Sequence, residues 1–392
     1  MSRSLDACIK VADFRRLARR HVPRPIMDFV EGGAEDELTL ARNRAAFEAW
    51  ALVPQVMTNV SRIDASIRIL GQQITWPFLV GPTGMQGLLH ADGEIGLARA
   101  AADVGALYCL STMSTHSIEE VAVATGAPKA FQLYVFRDRG ISLELLQRAR
   151  DAGYVALILT VDVQVPANRE RDRRNGMIIP PQFNLRGLVD FARRPVWCWN
   201  TLVRNPMRLA NFGAARSDPG VSLMEFIKEQ FDPSISWKDL EWVASQWNGP
   251  VAIKGVMSPA DAQKAVDHGA SAIIISNHGG RQLDAVAAPM DVLPSMVDRI
   301  RGRAELILDG GVRRGTDVLK AIALGAQACM SGRVGLYGLG AAGVRGASLV
   351  LRTLRNEFDR DLAMAGATSV AELGRNHVMP LTPQRYQEQS RT

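Results

Sequence analysis

Eight short apolar runs, separated by amphipathic segments from Pro77 onward, leave this chain few ways to fold. They are Phe78–Gly81, Ala106–Ser111, Ala130–Val135, Val155–Val161, Val251–Lys254, Ala272–Ser276, Glu305–Leu308 and Ala328–Ser331. None alternates polar with apolar residues, as expected for strands covered on both faces. Between them lie segments with helical spacing, such as Gly93–Val104, Ser142–Asp151 and Ser258–His268. Helix starts are signalled at Ser117-Ile118-Glu119-Glu120, Ser258-Pro259 and Thr316-Asp317. Strand–helix units of about 25–30 residues predict an α/β fold, a (β/α)8 TIM barrel, with a doubly wound sheet as the alternative.

Two regions stand outside this repeat within what reads as one functional unit over residues 1–392. Residues 1–75 read as a helical, turn-rich N-terminal extension covering one mouth of a barrel that spans 76–375. Residues 170–235 read as a long insertion after the fourth strand, and a loop of that length is usually functional. Its middle, Phe183 to Phe212, mixes Phe191, Trp197, Trp199, Leu202 and Leu209 with Arg186, Arg193, Arg194, Arg204 and Arg208, and Asp190 is its one acidic residue. That mixture suits an interfacial membrane anchor, and equally an active-site lid or a subunit contact. The four cysteines are scattered without a CxxC pair, so no metal site or disulfide framework is expected. No unbroken apolar run of about 18 residues suggests a membrane span, and Met1–Arg20 does not read as a signal peptide. The net charge of +6 hints at anionic ligands without implying nucleic acid.

Barrel enzymes carry their chemistry at the C-terminal ends of the strands. Read in order, those ends offer Pro82-Thr83-Gly84, then Ser111, then Gln132 with Tyr134, then Thr160 with Asp162 and, soon after, Arg169. The later ends offer Lys254, then Ser276 with His278, then Asp309-Gly310-Gly311 with Arg313, then Gly332-Arg333. His278 and Arg281 share one glycine-softened turn, which pairs an imidazole base with a guanidinium that can grip a carboxylate. Glycines after the last two strands, with Arg313 and Arg333, suit a phosphate. Ser111, Gln132 and Thr160 suit the edge of a flat heterocycle, or ordinary polar satisfaction in a barrel core. A lysine in a core strand needs an anion or a reactive partner, so Lys254 reads either as a Schiff-base lysine or as a holder of negative charge. Gly338-Leu339-Gly340-Ala341-Ala342-Gly343 matches a dinucleotide-binding glycine pattern but does not directly follow a strand. It reads instead as small residues that let a helix pack closely.

The stretches Ser276-Asn-His-Gly-Gly-Arg-Gln-Leu-Asp284, Asp309-Gly-Gly-Val-Arg-Arg-Gly-Thr-Asp317, Phe131-Gln-Leu-Tyr-Val135 and Gly32-Gly-Ala-Glu-Asp36 resemble the FMN-dependent L-2-hydroxy acid dehydrogenase/oxidase family. That family includes glycolate oxidase, L-lactate dehydrogenase and (S)-mandelate dehydrogenase, and the resemblance runs from about Phe14 to His377. It implies FMN as cofactor, a lactate- or mandelate-like L-2-hydroxy acid as substrate, quinone or oxygen as electron acceptor, and a homotetramer. By position it implies His278 as base, Asp162 as its partner, and Arg281 and Arg169 on the substrate carboxylate, with Tyr134 near the reacting carbon. It implies Lys254 beside flavin N1 and C2=O, Arg313 and Arg333 on the FMN phosphate, and the Gly84 backbone near flavin N5. Pro82, Thr83, Ser111, Gln132, Thr160, Ser276, Asp309, Gly310, Gly311 and Gly332 complete the expected cofactor contacts. The family's Tyr-Asp-Tyr pattern reads Met27-Asp28-Phe29 here, so the carboxylate loses a tyrosine hydroxyl at the Phe29 position.

Three other readings stand beside this one: flavin oxidation of a modified peptide during redox-cofactor maturation, a non-redox FMN barrel isomerase, and a non-catalytic flavin-binding scaffold. Gly84, where oxidases of the family often carry alanine, favours a dehydrogenase. The expected location is cytoplasmic, including the cytoplasmic face of a membrane.

Overall fold

The eight apolar runs form eight parallel strands that close into a barrel in the computed structural model, which describes residues 5–177, 182–204, 208–212 and 229–381. The strands are β1 (Phe78–Val80), β2 (Leu107–Ser111), β3 (Lys129–Leu133), β4 (Ala156–Thr160), β5 (Val251–Val256), β6 (Ala272–Ser276), β7 (Glu305–Asp309) and β8 (Ala328–Ser331). Each pairs with the next, and β8 returns to β1 through Cys329↔Phe78 and Met330↔Leu79. Closure excludes the doubly wound alternative. Every expected run became a strand, with ends shifted by a residue or two, so Tyr134 and Val135 sit just past β3 rather than inside it.

The period-2 geometry of a strand sorts side chains into two cores. Leu79, Cys109, Ala130, Ile158, Ala252, Ile274, Ile307 and Met330 form an apolar cluster from alternate positions of the strands. Residues of the opposite parity, among them Phe78, Val80, Leu110, Phe131 and Leu159, belong to the larger cluster shared with the helices. The expected helices lie at Gly93–Asp103, Arg139–Asp151 and Pro259–Asp267. Ser117 caps its helix by a reciprocal pair with Glu120, and Ser258 caps the next by accepting from Asp261 N. The third start signal is displaced: the helix spans Gly315–Ala323 with Arg314 as N-cap, and Asp317 accepts the N–H groups of Arg313 and Arg314.

The N-terminal extension reaches both ends of the barrel, where the sequence suggested one. A hairpin of Ile67–Ile69 and Gln72–Ile74 places Ile69, Leu70 and Ile74 in the inner cluster, and Leu70 N donates to Glu305 at the start of β7. At the other end, helix Arg24–Glu31 brings Phe29 and Val30 to the cavity at the strand C-termini. Helix Leu38–Glu48 is held there by two long-range contacts. Asp284 accepts from Leu38 N and Thr39 N, 3.1 and 2.7 Å, capping a helix some 245 positions earlier in the chain. Asn43 and Asn277 exchange two buried amide bonds of 2.8 Å. These bonds tie the loop after β6 to the extension, and Arg44 Nη1 does the same for the loop after β7 by donating to Gly311 O.

Helix Arg333–Met364 passes for a bilayer-crossing helix by length and composition alone, but Arg345 and Arg352 interrupt it and 72% of its apolar window is buried inside the fold. It packs on helices Val11–His21 and Gly93–Asp103 and breaks at Ala342–Gly343, where the dihedrals leave the helical region. The glycine pattern serves packing, as expected: a Cβ on Gly340 would crowd Val22 and Ala18, and one on Gly338 would lie 2.5 Å from Gly346 O.

In the insertion, described helices cover Leu185–Ala192 and Pro195–Cys198, followed by a π-helical turn at Trp199–Arg204. The side chains of Arg186 and Arg204 lie outside the described residues. Trp197 is buried and its indole N–H donates to Leu88 O at 2.8 Å, while Leu209 and Phe212 join the core. Trp199 and Leu202 face outward. The apolar residues grouped together in the sequence thus divide between anchoring the insertion and exposing it.

Candidate active site

Strand parity continues past the inner apolar layer and builds the floor of the site. Two residues beyond Cys109, Ala130, Ile158, Ala252, Ile274 and Ile307 stand Ser111, Gln132, Thr160, Lys254, Ser276 and Asp309. Above them lies a cavity of about 290 Å³. Sixteen of the residues singled out in the sequence line it: Phe29, Pro82, Thr83, Gly84, Ser111, Tyr134, Arg169, Lys254, His278, Arg281, Asp309, Gly310, Gly311, Arg313, Gly332 and Arg333. Gln132, Thr160, Ser276 and Asp162 lie one layer behind it, in contact with lining residues or close to them.

His278 sits in the left-handed region at φ 57°, held by its own N–H to Ser276 Oγ at 3.0 Å. A non-glycine residue in that region is uncommon and aims the ring where an ordinary backbone would not. Its Nδ1 lies 2.9 Å from Asp162 Oδ1, which leaves Nε2 as the ring's reactive atom. Burial alone would push the Asp162 carboxyl up, but the charge and hydrogen bond of His278, aided by Lys254, hold it below the ordinary carboxylate value. Asp162 therefore stays ionised beside the imidazole. Gly255 makes room for it: at φ 108°, a Cβ there would lie 2.6 Å from the Asp162 carboxyl carbon. This glycine follows Lys254 at the irregular register of β5, and sequence reading did not single it out. Gln282 completes the pair, donating from Nε2 to Asp162 O at 2.7 Å.

Lys254 is buried and ion-paired with Asp309 at 3.0 Å, with Ser276 Oγ bridging the two at 3.0 and 2.8 Å. Burial works against its charge, yet Asp309 and Asp162 outweigh burial and raise its pKa. A Schiff base needs a neutral amine, so this environment favours the second of the two sequence readings, a fixed positive charge. Tyr134 packs edge-on against Phe231 at 5.3 Å, and burial followed by the Asp162 charge raises its phenol pKa. It faces the cavity as a neutral hydroxyl.

Three arginines at the mouth have no ion pair among the described residues. Arg281 donates from Nη1 to Phe29 O and Gly32 O at 2.7 and 2.8 Å. Arg333 donates to the carbonyls of Val30, Gly279 and Gly32 at 3.0, 2.9 and 3.2 Å. Arg313 donates to Val312 O at 2.6 Å and lies over the Tyr337 ring. Burial, then Arg169 and Arg333, drive the pKa of Arg281 far down; burial pushes Arg333 down to about 10. Arginine does not give up its proton in proteins, so such crowding calls for an anion. Arg169 has a counter-charge in Asp172 at 3.2 Å, another residue that sequence reading did not assign a role. Arg169 and Arg281 both lie over the Phe29 ring, each guanidinium carbon 5.3 Å from its centroid. Phe29 thus offers its π-face to both cations, contacts worth about 0.5–2 kcal/mol each.

Glycines let backbone approach at the same mouth. Gly311 has φ 84°, and a Cβ there would lie 1.9 Å from Asn43 O, so no other residue fits. A Cβ on Gly84 would lie 2.9 Å from Met113 Cβ, which already crowds the loop after β1 against the loop after β2. Met85, Leu88, Leu89, Met113 and Leu336 add apolar wall that strand-end reading did not mark.

The family model for FMN-dependent dehydrogenases matches residues 18–380. The chain is 39% identical to a putative L-lactate dehydrogenase of Mycobacterium tuberculosis over 97% of its own length and 91% of the relative's. It is 41% identical to a peroxisomal (S)-2-hydroxyacid oxidase of Arabidopsis thaliana over 95% and 97% of the two chains. The structure of the monotopic membrane protein (S)-mandelate dehydrogenase superposes with a TM-score of 0.91 at 37% identity, covering 96% of this chain and 100% of that one. A soluble mutant of the membrane-associated (S)-mandelate dehydrogenase from Pseudomonas putida gives 0.81 at 36% identity, over 95% and 99%. With the barrel, the His278–Asp162 pair and the arginine-rich mouth in place, these matches settle the classification: the chain belongs to the FMN-dependent dehydrogenase family.

Proposed function

We propose that this chain oxidises an L-2-hydroxy acid of the lactate or mandelate class to the 2-oxo acid, using FMN. The observation that carries this reading is a histidine–carboxylate pair facing a cavity whose rim holds three guanidiniums without ion pairs. The residues suit FMN on their own terms. Gln132 Nε2 and Thr160 Oγ1 are buried without a hydrogen-bond partner among the described residues, a costly state that a heterocycle edge would relieve. Arg313 and Arg333, with Gly310, Gly311 and Gly332, form a cationic glycine-lined pocket for a phosphate. Bound there, FMN supplies a two-electron acceptor.

Each side chain then has a defined task. Arg281 and Arg169 hold the substrate carboxylate, with the Phe29 ring beneath both where relatives of the Tyr-Asp-Tyr pattern add a hydroxyl. Tyr134, neutral, donates a hydrogen bond to the substrate oxygen. His278 Nε2 takes a proton from the substrate, and ionised Asp162 stabilises the imidazolium that results. Lys254 keeps its charge and offsets negative charge gained by the cofactor site. This reading fits better than the modified-peptide or isomerase readings, because relatives are named for lactate and 2-hydroxy acids and the rim is built for a small carboxylate.

We read residues 1–392 as one catalytic unit and the insertion as a peripheral membrane contact. Leu185, Leu188, Val189, Val196, Trp199, Leu202 and Val203 are all exposed on it, beside exposed Arg193. Apolar residues with cations at their edge suit an anionic bilayer surface. The likeness to structures described as monotopic or membrane-associated (S)-mandelate dehydrogenases supports this reading. A homotetramer rests on the family resemblance alone.

Anaerobic mixing of the FMN-loaded protein with L-lactate or (S)-mandelate is expected to bleach the flavin absorbance, and His278→Ala to slow bleaching at least about 10³-fold while leaving the bound flavin spectrum intact. No bleaching by any of a panel of 2-hydroxy acids would overturn the substrate class. Gln132→Leu is expected to weaken FMN binding about fivefold with little change in Tm, because it removes a donor that is unpaired in the protein alone; unchanged affinity would place the flavin edge elsewhere. Pairing Trp199→Ser with Leu202→Ser is expected to abolish sedimentation with anionic vesicles without loss of flavin bleaching. Undiminished sedimentation would move the membrane contact off the insertion.

A further inference from the structure

The two guanidiniums assigned to the substrate carboxylate are held in different ways. Arg281 is fixed by the carbonyls of Phe29 and Gly32. Arg169 has no such carbonyl bonds among the described residues; it meets Asp172 as an ion pair at 3.2 Å and lies over the Phe29 ring. Its side chain is 32% exposed, which leaves it room to turn within the cavity that it lines.

Asp172 has the opposite character. It sits on the short helix Glu170–Arg174 and is buried. Neither of its carboxylate oxygens accepts a hydrogen bond among the described residues. The helix is pinned in place: Asn175 donates to Asp28 at 2.8 Å, Arg171 pairs with Glu37, and the Asp172 carbonyl accepts from Met177 N at 2.8 Å. Asp162 and Asp309, by contrast, each accept a hydrogen bond from a neighbour. Asp172 is thus a fixed, buried carboxylate served by the less restrained of the two arginines.

The charged groups that face Asp172 are Arg169 beside it, Arg281 from the loop after β6, Asp28 from helix Arg24–Glu31 and Arg171 on its own helix. Burial comes first and raises its pKa above the ordinary carboxylate value, with Arg169 and Arg281 opposing and Asp28 adding to the rise. Burial therefore prevails even while both arginines are free of a ligand. A second anion on the same two arginines puts a like charge near Asp172 and divides its counter-charge. An ionised carboxylate without a hydrogen-bond donor is then the costliest state open to it.

We propose that Arg169 turns from Asp172 to the substrate carboxylate, and that Asp172 takes up a proton from solvent as the anion binds. This rests on the reading of Arg169 and Arg281 as the groups that hold the carboxylate. Asp172 is a positioning residue: it holds Arg169 ready in the ligand-free protein and releases it without leaving a buried negative charge behind. The proton returns to solvent when the product anion leaves, so the exchange adds no net proton to the oxidation. Protonated Asp172 favours the bound state, so affinity for an anion is greatest at low pH. It falls as pH rises through the pKa of Asp172 in the ligand-free protein.

The test uses the FMN-loaded full chain with phenylglyoxylate and its neutral amide as probes. Wild type is compared with Asp172→Asn, whose side chain has nearly the same shape but cannot ionise. Calorimetry in two buffers of different ionisation heat counts the protons taken up per ligand bound. At its maximum across the pH range, wild type is expected to take up about half a proton more per phenylglyoxylate than the variant, with no such difference for the amide. The variant is expected to bind phenylglyoxylate at least about threefold more tightly than wild type at about pH 8, the two affinities converging as pH falls. His278 also faces the anion, but it is present in both proteins and drops out of the difference. Equal proton uptake by the two proteins would assign the proton to His278 and overturn the proposal. So would weaker binding by the variant at every pH, the mark of a purely structural role. A wild type that binds the acid selectively yet takes up no proton overturns it without recourse to the variant. Equal affinity of wild type for acid and amide would strike the reading of the two arginines as carboxylate holders, and this proposal with it.

Discussion

Positive charge crowded at the barrel mouth is the constraint around which the rest of this structure is arranged. Lys254, His278 and Arg169 each have a carboxylate, in Asp309, Asp162 and Asp172. Among the described residues, Arg281, Arg313 and Arg333 have only carbonyls and aromatic rings as partners. Carbonyl dipoles hold a guanidinium in place but do not neutralise it, and partial burial makes an uncompensated charge expensive. The same bonds tie the extension to the barrel, because Phe29, Val30 and Gly32 supply the carbonyls. One set of interactions therefore both closes the site and leaves it short of negative charge, the state that a phosphate and a carboxylate together correct.

Much of this was legible in the sequence because strand geometry is periodic. Once eight apolar runs are read as parallel strands, parity places Ser111, Gln132, Thr160, Lys254, Ser276 and Asp309 in one inward layer above the apolar core. The strand-end loops likewise carried His278, Arg281, Arg313 and Arg333. What sequence could not give was set by contacts between distant segments. Gly255 matters only because Asp162 folds against it, and Asp172 only because Arg169 lies beside it. The pairing of Lys254 with Asp309 joins strands 55 positions apart, and it decides the lysine's charge state against the Schiff-base reading. The hairpin at the far end of the barrel was invisible for a related reason: two strands of three residues carry too little pattern to stand out from a turn-rich segment.

The insertion shows how composition misleads when it is read as a single property. Phe183 to Phe212 looks uniformly aromatic and basic, yet Trp197, Leu209 and Phe212 are core residues while Trp199, Leu202 and Val203 are surface. The buried set fastens the segment to the wall of the flavin cavity through Leu88, and the exposed set gives it an outward apolar face.

The account depends on an unmet demand for anions at the mouth, and that demand is directly measurable. The binding of a 2-oxo carboxylate and of its neutral amide to the FMN-loaded protein can be followed by the shift of the flavin spectrum, in the wild type and in Arg281→Met. The carboxylate is expected to bind at least about tenfold more tightly than the amide in the wild type, with that preference largely lost in the variant. Equal affinity for acid and amide in the wild type would contradict the account, because the guanidiniums would then already be satisfied without a bound anion.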